Sequence, residues 1–148
     1  MKKIFTLSAL FIVFATLLAG CTKRSYSDYN DMSYWLSKEN GVVVYSDNYC
    51  PYYVVETYNG YAIVRSAEAY RPYEGDEMYG NLSSYGYKDI YNYTENRIIK
   101  GEVMYYWLTY AEAQYRIDNL CYTYGRAAEN KTIKQGLLKA KPAAGAEQ

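Results

Sequence analysis

The side chains best equipped for acid–base chemistry are carboxylates crowded into two short stretches. "GDEMYG" (75–80) and "YKDIYNYTEN" (87–96) bring Asp76, Glu77, Asp89 and Glu95 into one turn-rich region. Two carboxylates held ~5–9.5 Å apart can hydrolyse a glycosidic bond, and clustered carboxylate oxygens can hold a hard cation. No EF-type loop accompanies them, and acidic residues at strand ends are ordinary turn chemistry. The chain has no histidine, which removes the usual general base, Ser-His-Asp and Cys-His catalysis, and any histidine-based zinc site. None of the three cysteines stands in a CxxC pair. We therefore expect no catalytic residue, no metal site and no cofactor.

Tyrosine is the abundant functional side chain, with 22 copies, all after residue 20. Tyr85, Tyr87, Tyr91 and Tyr93 stand at even spacings, so on a strand they share one face. A row of exposed phenols is a possible ligand face, rigid and amphipathic, able to stack on sugar rings, on peptidoglycan or on a protein partner. The competing reading places tyrosine in the core in the role of phenylalanine, with its hydroxyl reaching water. Phe5, Phe11 and Phe14 are the only phenylalanines and all precede residue 20, which favours the core role for most of the tyrosines.

The elements that must position these residues are mostly strands. "VVVYS" (42–46), "YYVVETY" (52–58) and "YAIVRS" (61–66) are β-branched and aromatic runs of strand length. Asn59-Gly60 between the last two is the dipeptide preferred by a two-residue type I′ hairpin. Glycines at 75, 80, 86 and 101 punctuate three further strands, Glu77 to Ser83, Tyr87 to Asn92 and Ile98 to Tyr106, and Pro72 marks the connection into them. Upstream, Asp28 to Asn40 reads as a short helix stopped by Gly41. Downstream, Thr109 and Glu112 form a capping box, Ala113, Ile117, Leu120 and Cys121 follow at helical spacing, and Gly125 offers a left-handed stop. Five or six short strands at such turn spacings predict a mainly β (α+β) domain: a small OB-like or SH3-like barrel with a capping C-terminal helix.

The amino terminus gives an address. Met1-Lys2-Lys3 is followed by an apolar run from Ile4 to Leu18, the layout of a secretory signal and short of the ~20 residues a membrane span needs. Leu18-Ala19-Gly20-Cys21 then resembles the lipobox of the bacterial lipoprotein signal family, a likeness confined to the first fifth of the chain. The resemblance implies cleavage before Cys21, a thioether-linked diacylglycerol on its sulfur and acylation of its new amine, so that the membrane is a partner through the lipid anchor. Two or three acyl chains hold stably where one is marginal. Thr22 rather than Asp after the lipidated position implies, by the same likeness, the outer membrane, facing the periplasm or the surface. With Cys21 assigned to lipid in an oxidising compartment, Cys50 and Cys121 remain, and an even remainder there reads as one disulfide. The sequons at Asn81, Asn92 and Asn130 carry no message in such a protein.

The expected organisation is a signal peptide (1–20), a tether with a short helix (21–40), a barrel-like domain with its C-terminal helix (41–125) and a flexible tail (126–148). Removing Lys2 and Lys3 from the 16 basic side chains leaves 14 against 16 acidic, a formal balance of −2, with no basic stripe for nucleic acid. The function expected is a non-enzymatic binding or structural module of the cell envelope, with an envelope protein or glycan as partner. The alternative is an envelope-glycan hydrolase, or a hydrolase inhibitor that inserts a protruding loop such as Arg71 to Tyr79.

Overall fold

The computed structural model describes residues 32–122 and 131–138. Cys21, the signal peptide and the Gly125 stop lie outside the described residues. A one-turn helix α1 (Met32–Leu36) leads into β1 (Glu39–Ser46), β2 (Tyr52–Thr57), β3 (Gly60–Ser66), β4 (Glu77–Gly80), β5 (Gly86–Asn92) and β6 (Arg97–Leu108), and α2 (Tyr110–Tyr122) follows. The strands close into a barrel in the order β1-β2-β3-β6-β5-β4, with every neighbouring pair antiparallel. This is the mainly β barrel with a C-terminal helix that the strand pattern implies. Six strands and full closure distinguish it from the five-stranded, partly open OB barrel.

Strand alternation divides the apolar residues into two layers. Val43, Tyr53, Val55, Ala62, Val64, Met78, Ile90, Ile99 and Val103 fill the barrel interior, joined by Leu82 from the β4–β5 loop. Their outward-facing neighbours Val44, Val54 and Ile63 belong to a second cluster with Ala113, Ile117 and Cys121 of α2. Strands covered on both faces read as unbroken apolar runs, which is why 42–46 and 52–58 lack a polar alternation.

The helix therefore lies along the outer wall of β2 and β3 instead of closing an open end of the sheet. Its capping box forms as read: the Glu112 carboxylate accepts from the Thr109 amide at 2.9 Å, and the Glu112 amide donates to Thr109 Oγ1 at 3.4 Å. Cys50, in the β1–β2 loop, is disulfide-bonded to Cys121 with a Cα–Cα distance of 5.3 Å, which fastens the last turn of α2 to the barrel. Among the described residues no helix is long and apolar enough to cross a membrane.

Three local expectations change. The short helix ends at Leu36, and Gly41 sits inside β1, where a Cβ would lie 2.5 Å from Val55 Cγ1 and 2.7 Å from the Glu56 carbonyl oxygen. Glycine is there for close strand packing. The β2–β3 hairpin forms, but Thr57 pairs with Gly60, so the turn residues are Tyr58 and Asn59. Of Tyr58, Asn59 and Gly60, only Gly60 has positive φ (115°), which excludes the type I′ geometry. Finally, residues 131–138, expected within a flexible tail, pack against the barrel. Ile133 is buried in the helix-side cluster, the Lys134 amide donates to the Val44 carbonyl at 3.0 Å, and the amides of Gly136, Leu137 and Leu138 donate to the Glu56 carboxylate. Val44 is free to accept because β1 is bulged between Val43 and Tyr45. A segment poor in apolar residues is held here by one buried isoleucine and by backbone donors meeting a carboxylate.

Candidate aromatic binding site

The structure divides the even-spaced tyrosine row into two environments. Tyr91 is buried, its ring stacked on Trp35 of α1 at 5.8 Å, and Tyr93 makes edge contacts with Tyr91 and Tyr79 at 6.4 and 5.9 Å. These rings cover the outer wall of β4 and β5, the packing role that the scarcity of phenylalanine suggests. Tyr85 and Tyr87 remain exposed, at 64% and 66%, and Tyr93, though in contact with Tyr91 and Tyr79, is exposed as well. Of the four only Tyr87 and Tyr91 lie on β5, with Tyr85 before it and Tyr93 after it. The Tyr87 hydroxyl accepts from Arg65 at 3.0 Å, and Arg65 is also ion-paired with Glu102. The Glu102 carboxylate, and then the bond to Tyr87, hold the Arg65 guanidinium pKa above its ordinary value.

Tyr85 acquires partners that no spacing rule indicates. Its ring lies 4.7 Å from that of Tyr106, tilted by 58°, and Tyr106 meets Trp107 edge-on at 5.3 Å. Trp107 is 63% exposed. The three rings form a stepped aromatic platform between the β4–β5 loop and the end of β6.

The backbone that presents Trp107 is unusual. Tyr61 pairs with Leu108 and Ile63 with Tyr105, so β6 carries a bulge in this interval. Trp107 has φ 57°, a left-handed conformation that is a genuine outlier for so bulky a residue. The bulge presses Leu108 toward β3, where a Cβ on Gly60 would lie 2.6 Å from the Leu108 carbonyl oxygen. A polar row then fixes the indole: Trp107 Nε1–H donates to Ser83 Oγ at 2.9 Å, Ser83 donates to Glu39 Oε1 at 2.7 Å, and Asn59 Nδ2 donates to the same oxygen at 3.4 Å. The nearby Ser84 hydroxyl oxygen is buried without a hydrogen-bond partner. The edge contact with Tyr106 and the polar row together orient the indole.

Three of the four carboxylates singled out from sequence, Asp76, Glu77 and Glu95, are absorbed by the fold, and Asp89 lies on β5, paired across to Lys100 of β6 in the backbone register. Asp76 is buried and accepts from Asn92 Nδ2 at 2.7 Å and from the Tyr73 amide at 2.9 Å. Glu77 accepts from the Tyr79 hydroxyl at 2.5 Å, and Glu95 from the Tyr70 hydroxyl at 2.6 Å. Burial first, then these carboxylates, push both phenol pKa values well above the ordinary tyrosine value, so the phenols are donors at neutral pH. Inside the barrel, the Tyr53 hydroxyl is fully buried with no partner, and desolvation raises its pKa further still. Among the described residues no three His, Cys, Asp or Glu side chains are placed to hold a metal ion. The Arg71 to Tyr79 loop is tied down: Arg71 Nε donates to the Cys50 carbonyl at 2.7 Å, and Gly75 and Asp76 exchange backbone bonds with Val43.

Sequence reasoning missed Tyr106 and Trp107. Tyr106 closes the run read as the last strand and Trp107 follows it, whereas the strand continues to Leu108, and the bulge that turns Trp107 outward leaves no glycine to mark it. No family model, curated protein or solved structure matches the chain.

Proposed function

We propose that the chain is a lipid-anchored, non-enzymatic binding module of the cell envelope, tethered through Cys21 to the outer membrane and presenting the Tyr85–Tyr106–Trp107 platform to its partner. The observation that carries this reading is the exposed indole of Trp107 held in a left-handed backbone conformation. Strain of that kind costs of order 1–3 kcal/mol and persists where the surroundings over-determine it, commonly at ligand sites. The lipobox supports the anchor, and the disulfide accords with an oxidising compartment. The binding role is favoured over glycan hydrolysis because Asp76, Glu77 and Glu95 are each engaged by hydrogen bonds within the fold. It is favoured over active-site plugging because the Arg71 to Tyr79 loop is bonded to the barrel.

Mass spectrometry of natively produced protein tests the anchor: the chain is expected to begin at an acylated Cys21, and Cys21→Ser to release it from the membrane fraction. A bare thiol, or residues 1–20 still attached, refutes it. The platform is tested by retention of the chain on immobilised envelope material, expected to fall at least tenfold in Trp107→Ala and to stay unchanged in Tyr115→Ala, another exposed tyrosine. Equal retention in both variants refutes the binding role of this face.

A further inference from the structure

We infer that the platform is a subsite for a neutral glycan, with sugar rings laid on Tyr85 and Trp107 and their hydroxyls met by the polar row beside them; this rests on the binding-module reading above. Aromatic faces are electron-rich and complement the polarised C–H groups on one face of a pyranose. Tyr85 and Trp107 both touch Tyr106, at 4.7 and 5.3 Å with planes inclined by 58° and 88°, so each exposed ring offers its own face to a sugar. Beside the rings Ser83, Glu39 and Asn59 are bonded in a row, and a carboxylate and a primary amide have more acceptor and donor positions than these bonds use, which a polyol can meet.

Charge argues for a neutral ligand. Arg65 is met by Glu102, while Glu39 receives hydrogen bonds from the uncharged Ser83 and Asn59. That leaves the face neutral to slightly negative, a poor match for a polyanion. Size argues against a macromolecular protein interface. A stable one covers ~800 Å² on each partner, and three partly covered rings at 150–250 Å² each offer well under that. The exposed large apolar side chains of the barrel and α2 are all tyrosine or tryptophan, the exposed Met32 and Leu36 both belonging to α1. A surface whose highly exposed large side chains are aromatic suits stacking on sugars better than packing against a protein core.

The test is a titration of the full chain, held in a non-glycosidic detergent, with cellohexaose, chitohexaose, maltohexaose and mannohexaose, and with heparin as the anionic comparison. The readout is tryptophan emission, in which exposed Trp107 responds and buried Trp35 does not. At least one neutral hexaose is expected to shift the emission saturably, with a Kd below about 1 mM. The affinity, followed by calorimetry, is expected to fall at least tenfold in Trp107→Ala and in Tyr85→Ala and to remain in Tyr115→Ala, with thermal unfolding of all three close to that of the parent. Response to heparin alone, response to none of the oligosaccharides, or affinity indifferent to Trp107 and Tyr85 overturns the inference. If no oligosaccharide binds while retention on envelope material still depends on Trp107, the glycan falls and the binding module stands. If retention is also indifferent to Trp107, both fall.

Discussion

The chain's two tryptophans are expected to respond in opposite ways to removal, and the contrast can be worked from their surroundings. Trp107 has φ 57°, a conformation that costs an L-residue about 1–2 kcal/mol. Glycine relieves that strain but adds about 0.5–1 kcal/mol of backbone entropy cost. Trp107→Gly also removes the bond to Ser83, worth about 0.5–1.5 kcal/mol, and the edge contact with Tyr106, worth a similar amount. Both losses sit near the low end because the indole is 63% exposed. The terms nearly cancel, so stability is expected to change by no more than about 1 kcal/mol, or about 5 °C in Tm for a domain of this size. Trp35 is 4% exposed and stacked on Tyr91, and truncation of such a residue to alanine costs about 3–5 kcal/mol. Thermal and urea unfolding followed by far-UV circular dichroism, run on both variants, makes the comparison. If Trp107→Gly destabilises as much as Trp35→Ala, the indole is a structural element, and the argument from strain to function is refuted.

Three further outcomes follow from the packing. Reducing the Cys50–Cys121 bridge opens a loop of sequence separation 71 and is expected to lower stability by about 4 kcal/mol in the chain-entropy model; an unchanged urea midpoint under reductant contradicts this. Burial works against the Glu74 carboxylate, but Lys131, Lys134 and the Ser46 amide outweigh it and hold its pKa below the carboxylate value of 4.5. A lowered folded-state pKa contributes stability that is complete above the unfolded value and lost as pH falls through the folded one. The amide resonances of residues 131–138 are therefore expected to move toward free-peptide positions below pH 4.5 while the barrel persists, and shifts unmoved down to about pH 2 contradict the linkage. Gly41→Ala drives a methyl to 2.5 Å from Val55 Cγ1 and 2.7 Å from the Glu56 carbonyl. It is expected to cost about 1–3 kcal/mol in the same melts, and a melt matching the parent's refutes the packing role.

What the sequence discloses is what local patterns govern. The β-branched and aromatic runs mark all six strands to within a few residues, and Thr109 with Glu112 marks the start of α2 because both partners of the cap lie in one turn. The pairing of Cys50 with Cys121 is expected only once the lipobox resemblance sets Cys21 aside from the three cysteines. Closure does not: β1 meets β4, and β3 meets β6, across long stretches of chain whose pairing no local signal specifies. Docking of 131–138 depends on a bulge in β1 and a carboxylate in β2, neither visible from the segment itself. The tyrosine row shows the limit of periodicity. Even spacing shares one face only for Tyr87 and Tyr91, the two that lie on β5; Trp35 covers Tyr91, and Tyr85, before the strand, turns toward a bulge in another strand. Face membership is a property of the strand; exposure is a property of what packs on it.

The central claim is that Tyr85 and Trp107 face an occupant in the envelope, and hydroxyl-radical footprinting of the chain in intact envelopes, read by mass spectrometry against the purified protein, tests it without knowing the ligand. Tyr85, Trp107, Tyr49 and Tyr115 are all exposed in the isolated chain and are expected to label comparably there. In the envelope, Tyr85 and Trp107 are expected to be shielded several-fold while Tyr49 and Tyr115 label as before. Labelling of Tyr85 and Trp107 as freely in the envelope as in solution contradicts the account.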